Sequence, residues 1–153
     1  MNRISNNQLM VERLESLKAG IIGGLSLGFA FVITNLINNL VLAKYFEILA
    51  SLQIGVSWYW LVSGAIAGFS GLLFGVTYRY IIRLDNNPQL KTGGVLAFGL
   101  VRGLTQIEVG WNSAETILPF LVLAFESVLW FAMAAIALDI AIKFGWIQPF
   151  SST

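Results

Sequence analysis

The side chains able to do chemistry are few: eight carboxylates, nine Lys and Arg, and neither histidine nor cysteine. Those absences exclude a zinc site of the usual kind, an imidazole base, a thiolate nucleophile, a disulfide and haem ligation through either side chain. Arg102 and Glu126 stand out because each falls inside a long apolar stretch, where a lone charge costs about 3 kcal/mol on insertion scales. Arg102 shares a helical face with Gly99, Gly103 and Gln106, and Glu126 shares one with Pro119, Met133, Ala137 and Ala141. Both faces read as inward. On antiparallel helices the two charges differ in depth by roughly 6 Å at 1.5 Å per residue, a gap that an arginine side chain spans. Three roles are open to them: an ion pair between helices, a polar step in a solute or proton path, and a contact to another subunit. Asn35 and Asn38, with Thr34 and Asn39, add a polar cluster suited to inter-helix hydrogen bonds or to the lining of a water-filled vestibule. Enzymatic chemistry is not expected, because no nucleophile and base adjoin and Glu126 and Asp139 lie about 20 Å apart on different faces of one helix. No cofactor or metal is expected either.

Of 153 residues, 57% are hydrophobic and 11% charged. A soluble domain carries about a quarter charged residues to wet its surface, so this composition implies a membrane protein. The net charge of +1 supplies no basic patch for nucleic acid. A bilayer core needs roughly 20 apolar residues per helix, and four stretches qualify: 19–43, 57–82, 93–109 and 116–144. The expected fold is therefore all-α, a polytopic four-helix transmembrane bundle. Residues 1–18 form an N-terminal amphipathic arm, with Met10, Leu14, Leu17 and Ile21 on one face, expected to lie along the membrane surface. Residues 44–56 make a second interfacial segment, with Tyr45, Phe46, Ile48, Leu49 and Leu52 dipping into lipid, and 145–153 form a tail. Arg3, Arg13, Lys18, Arg79, Arg83, Lys91 and Lys143 fall on one side of this layout and Lys44 on the other. By the positive-inside rule both termini face the cytoplasm or its stromal or matrix equivalent. Asn112 and Glu115 have the spacing of a helix N-cap and its capping acid, expected to open the last span. Asp139 and Lys143 read as an ordinary exposed pair one turn apart.

Glycine rows fill the helix faces. Gly64, Gly68, Gly71 and Gly75 fall within roughly 60° of one another at about 100° per residue, Gly20, Gly24 and Gly28 form a row in the first span, and Gly99 and Gly103 a shorter one. Such rows let backbones approach closely, which holds helices together in lipid where no hydrophobic effect can.

The run Gly71-Leu-Leu-Phe74, then Arg83, Asn87-Pro88 and Thr92-Gly93-Gly94, resembles the preprotein and amino-acid transporter family. That family includes channel-type subunits of mitochondrial inner-membrane translocases and chloroplast envelope relatives. The resemblance implies four helices with glycine rows, and a loop motif at Arg83, Asn87, Pro88, Gly93 and Gly94 that sets the close approach of the second and third helices. The chain departs from the family in its shorter gap from Phe74 to Arg83, in Asn87 where Asp is usual, and by one residue before the glycine pair. The words Phe74-Gly-Val-Thr-Tyr-Arg-Tyr and Phe98-Gly-Leu-Val-Arg-Gly also resemble uncharacterised small membrane proteins of cyanobacteria and chloroplasts, which implies a thylakoid, plasma or chloroplast membrane.

Two functions follow as expectations. The first, favoured by the family resemblance and the two charges in apolar stretches, is a small transporter- or translocase-like component whose polar path or cavity is lined by Arg102, Gln106, Glu126, Asn35 and Asn38. The other is an accessory or assembly subunit of a larger membrane complex, photosynthetic in the second resemblance, without transport. Either role implies the lipid bilayer, a homo-oligomer or a membrane complex as partner.

Overall fold

A computed structural model describes residues 6–82, 87–113 and 116–150. The described residues are helical, with no strand among them. Nothing between the polar arm and the first apolar stretch breaks a helix, so α1 runs unbroken over Asn6–Ile37, about 48 Å at 1.5 Å per residue. The arm expected to lie on the membrane surface is thus the first part of α1 and shares its axis. Its Glu15 and Ser16 are buried, facing Gln148 and Tyr80 respectively.

α1 widens into a π-helical turn, Asn38–Leu42, followed by α2, Ala43–Tyr45, and a 3-10 turn, Glu47–Leu52. Leu49 and Leu52 turn inward and are buried, while Tyr45, Phe46 and Ile48 stay exposed. The expectation that all five dip into lipid is therefore corrected for the two leucines. Asn39 fastens the connection: its Nδ2 donates to the Ile54 carbonyl at 3.0 Å and its Oδ1 accepts from the Ile54 N–H at 3.0 Å.

Three long helices follow, α3 over Trp58–Ile81, α4 over Pro88–Ser113 and α5 over Leu118–Lys143. Three segments are long and apolar enough to cross a membrane: Asn7–Tyr45, Trp58–Ile81 and Leu118–Lys143. α4 matches them in length but carries Lys91, Arg102, Gln106, Glu108 and five glycines, which lower its hydropathy. Asn112 lies in the last turn of α4, where its Nδ2 donates to the Glu108 carbonyl at 3.1 Å. It does not cap α5, whose N-cap is Ile117 with no side-chain hydrogen bond. Glu115 lies outside the described residues.

α1 packs along α3 and α4 along α5, with α5 also lying against α1. The α1–α3 seam is made of backbone. A methyl group on Gly23 would overlap the Gly71 carbonyl oxygen, and one on Gly75 the Ala19 carbonyl. One on Gly24 would stand 3.0 Å from the Gly68 carbonyl oxygen, and one on Gly20 3.0 Å from Val76 Cγ2. Gly64 faces the Phe31 ring, at 3.1 Å from such a methyl, whereas Gly28 faces open space. On the α4–α5 seam, added methyls at Gly99 and Gly103 would come within 2.8 Å of Val128 Cα and 2.9 Å of the Ala124 carbonyl oxygen. Aromatic rings fill the middle. Phe31 meets Trp60 at 5.4 Å and Trp130 edge-on at 5.8 Å, and Phe74 meets Phe131 at 5.1 Å and Phe98 at 5.4 Å between centroids.

Candidate functional site

Because Gly99 and Gly103 press α4 onto α5, their neighbour Arg102 is turned to the flank, toward α3. α3 and α4 meet at one end, where Gly94 abuts Ile81 Cδ1 and Phe98 packs on Phe74. Further along they part, and a cavity of about 570 Å³ opens between them. Ser63, Ser70, Arg102, Thr105 and Gln106 give it polar walls, and Phe131 of α5 is at its floor. The Ser70 and Thr105 hydroxyls donate back to the Ile66 and Val101 carbonyls of their own helices, at 2.7 and 2.9 Å.

Arg102 lies with its guanidinium carbon 5.0 Å from the centre of the Trp130 ring, a cation–π geometry. Its Nε is buried with no hydrogen-bond partner, as is Trp130 Nε1. The expected ion pair with Glu126 is not formed. Glu126, also buried, faces α1, where its Oε2 accepts from Asn38 Nδ2 at 3.3 Å. One turn further along α5, Trp130 meets Phe31 of α1 at 85° between ring planes and lies under the Arg102 guanidinium. The depth argument placed both charges at similar heights and left open which neighbour each side chain faces.

The residues expected to line one polar path therefore fall into separate places. Arg102 and Gln106 share the α3–α4 cavity. Glu126 and Asn38 share a buried contact between α1 and α5, with Asn38 Oδ1 unpartnered. Asn35 donates from Nδ2 to the Phe31 carbonyl of its own helix at 2.8 Å. Of the residues aligned with Glu126, Pro119 and Ala141 are buried but Met133 is exposed.

Arg79, which charge counting along the sequence assigns to the membrane face, is buried. Its residue is 1% exposed and its donors are all directed to acceptors. Nε donates to the Gln148 carbonyl at 2.9 Å, Nη1 to the Glu12 carbonyl at 3.0 Å and to Ser16 Oγ at 2.8 Å, and Nη2 to the Glu12 carboxylate. Beside it, Glu15 accepts from the Gln148 N–H at 2.8 Å and from Lys18 Nζ at 2.6 Å. Arg79 is thus bound to α1 on one side and to the segment after α5 on the other. A signal for it exists: Arg79 follows Gly75 by one turn on the glycine face of α3, and Glu12 and Ser16 precede Ala19 and Gly23 on the matching face of α1.

Asp139 pairs across helices. Lys91 Nζ reaches its two oxygens at 3.0 and 3.1 Å, and the Tyr78 hydroxyl donates to Oδ1 at 3.2 Å. The pairing expected with Lys143 is replaced by this contact from α4. In the loop motif, Asn87 Oδ1 accepts from the Gln89 N–H at 2.9 Å and Pro88 opens α4, as suits a first helical turn. Gly94 makes the close approach to α3, Gly93 faces open space, and Arg83 lies outside the described residues. Among the described residues, no three His, Cys, Asp or Glu gather into a metal-binding group. Comparison with family models, with curated proteins and with solved structures finds no match to this chain.

Proposed function

We propose that the chain is an integral membrane protein without catalytic chemistry, an accessory or assembly subunit that binds its neighbours laterally in the bilayer. The observation that carries this reading is the aromatic packing at the centre, where Trp60, Phe31 and Trp130 on one side and Phe74, Phe98 and Phe131 on the other occupy the space a passage would need. The cavity that does exist lies on the flank between α3 and α4. In this reading α4 also crosses the membrane, completing a four-helix bundle with glycine-rich interfaces. Both termini then lie on the positive, cytoplasmic-equivalent side, in a thylakoid, plasma or chloroplast membrane, and the partner is a second copy or a larger complex.

A translocase-like role is the second reading. It draws on the resemblance of the loop motif, where Gly94 approaches Ile81 closely, and on Arg102 and Gln106 sharing one cavity. Purification in mild detergent, with identification of what accompanies the chain, and flux measurements on reconstituted vesicles separate the two. The accessory reading expects a stoichiometric companion and no flux above empty vesicles. Flux that disappears on Arg102→Leu favours passage.

A further inference from the structure

We propose that the cavity between α3 and α4 is a binding site for a single-chain amphiphile with a carboxylate head, a long-chain fatty acid, whose head pairs with Arg102. The inference goes beyond the accessory role, which can hold with the site empty or filled.

Two arginines, Arg79 buried and Arg102 half-buried, make the argument by contrast. Arg79 shows what this fold supplies when it satisfies a guanidinium internally: two carbonyls, a hydroxyl and a carboxylate. Arg102 receives a Trp130 face and, among the described residues, no acceptor; its Nε is enclosed and unpartnered. A guanidinium at such a place calls for an anion, and the planar fork matches a carboxylate in two parallel hydrogen bonds. The cavity supplies the rest of an amphiphile site. Arg102 and Gln106 form a polar end, while Ile66, Leu73, Phe98 and Val101 offer an apolar wall, and the volume of about 570 Å³ falls within the range of small-ligand sites, about 300–1,000 Å³.

Depth selects the head group. Arg102 is the fifteenth of the 26 residues of α4, so it lies about 21 Å from one end and about 16 Å from the other. A phosphodiester head group stays charged and belongs at the interface. A carboxylic acid becomes neutral on protonation, can reach mid-depth through lipid in that form, and on pairing with Arg102 releases its proton to water.

The test is native mass spectrometry of the full chain released from detergent, titrated with oleate, methyl oleate or phosphatidylglycerol. One oleate per chain is expected, with methyl oleate and phosphatidylglycerol each binding about tenfold more weakly or worse. Arg102→Gln should weaken oleate by about tenfold or more, and Lys143→Gln, at the exposed end of α5, should leave it unchanged. Ala97→Phe, which fills the cavity and keeps Arg102, should abolish binding and decides the matter if Arg102→Gln fails to fold. Equal retention of oleate by Ala97→Phe, equal binding of methyl oleate, or tighter binding of phosphatidylglycerol overturns the proposal.

Discussion

Gly23 of α1 and Gly71 of α3 meet backbone to backbone, so that a methyl on either one would overlap the carbonyl oxygen of the other. No rotamer relieves such an overlap, because the obstacle is main chain. Gly23→Ala or Gly71→Ala should therefore push the helices apart and destabilise the fold by about 1–3 kcal/mol, the usual cost of overpacking. Gly28→Ala faces open space and should be neutral or slightly stabilising, since alanine favours helix. Thermal unfolding in one detergent, followed by the fluorescence of the native tryptophans, ranks the three.

Arg79 ties α3 to two other segments, α1 and the stretch after α5, and its removal should release the latter. Arg79→Gln should expose residues 145–150 to protease while α1, α3 and α5 persist as helices. The stability loss should stay below the roughly 3–5 kcal/mol of a fully buried broken pair, because the Glu12 side chain is 30% exposed. Proteolysis with mass analysis of the fragments reads the outcome. A tail equally resistant in the variant would show that Gln148 is held by Glu15 alone.

Arg102 and Glu126 face different neighbours, so charge reversal at both should behave as the sum of the single reversals, within about 0.5 kcal/mol. A cycle on Asn38 and Glu126, which are hydrogen-bonded, should show a coupling larger than that. Recovery of folded protein by the Arg102–Glu126 double reversal, beyond the sum, would restore the ion pair.

Lys91→Ala and Asp139→Asn should each cost about 0–1 kcal/mol, the value of a partly exposed pair, and should not add when combined, since the two side chains contact each other. Lys143→Ala should do nothing to Asp139. A double-mutant cycle by thermal unfolding measures both statements.

The sequence contains no cysteine, so single cysteines report topology cleanly. If α4 crosses the membrane, Gln53→Cys and Asn112→Cys should label from one side of sealed vesicles and Gln89→Cys from the other. Labelling of Gln89 and Asn112 from the same side would show that α4 does not span.

The sequence reveals direction more readily than it reveals neighbours. Hydropathy and length read correctly for the three long apolar helices, whereas the glycine stripes hold both close contacts and open positions. The first row runs through Gly20, Gly24 and Gly28, yet Gly23 makes the tightest contact on α1 and Gly28 none, so the seam does not follow the row to its end. Height and an inward face match Arg102 to Glu126 without saying which neighbour each meets. Their azimuths, set by Gly99 and Gly103 on one helix and by Asn38 on another, send them to different neighbours. Arg79 escaped notice because charge counting treats an arginine near a helix end as wetted. The stripe of small residues leading up to it was the signal that its side chain belongs inside.

Gln148 has one further consequence, for biogenesis. Glu12, Ser16 and Arg79 are synthesised and inserted before α5 exists, yet the guanidinium Nε finds its acceptor only in the segment that follows α5. Until the ribosome has delivered that segment, the positive end of the helix assembly holds an unfinished hydrogen-bond set open to water. Shortening the chain before Gln148 should thus act as an assembly defect, leaving Arg79 Nε and the Glu15 carboxylate without the carbonyl and N–H that Gln148 supplies.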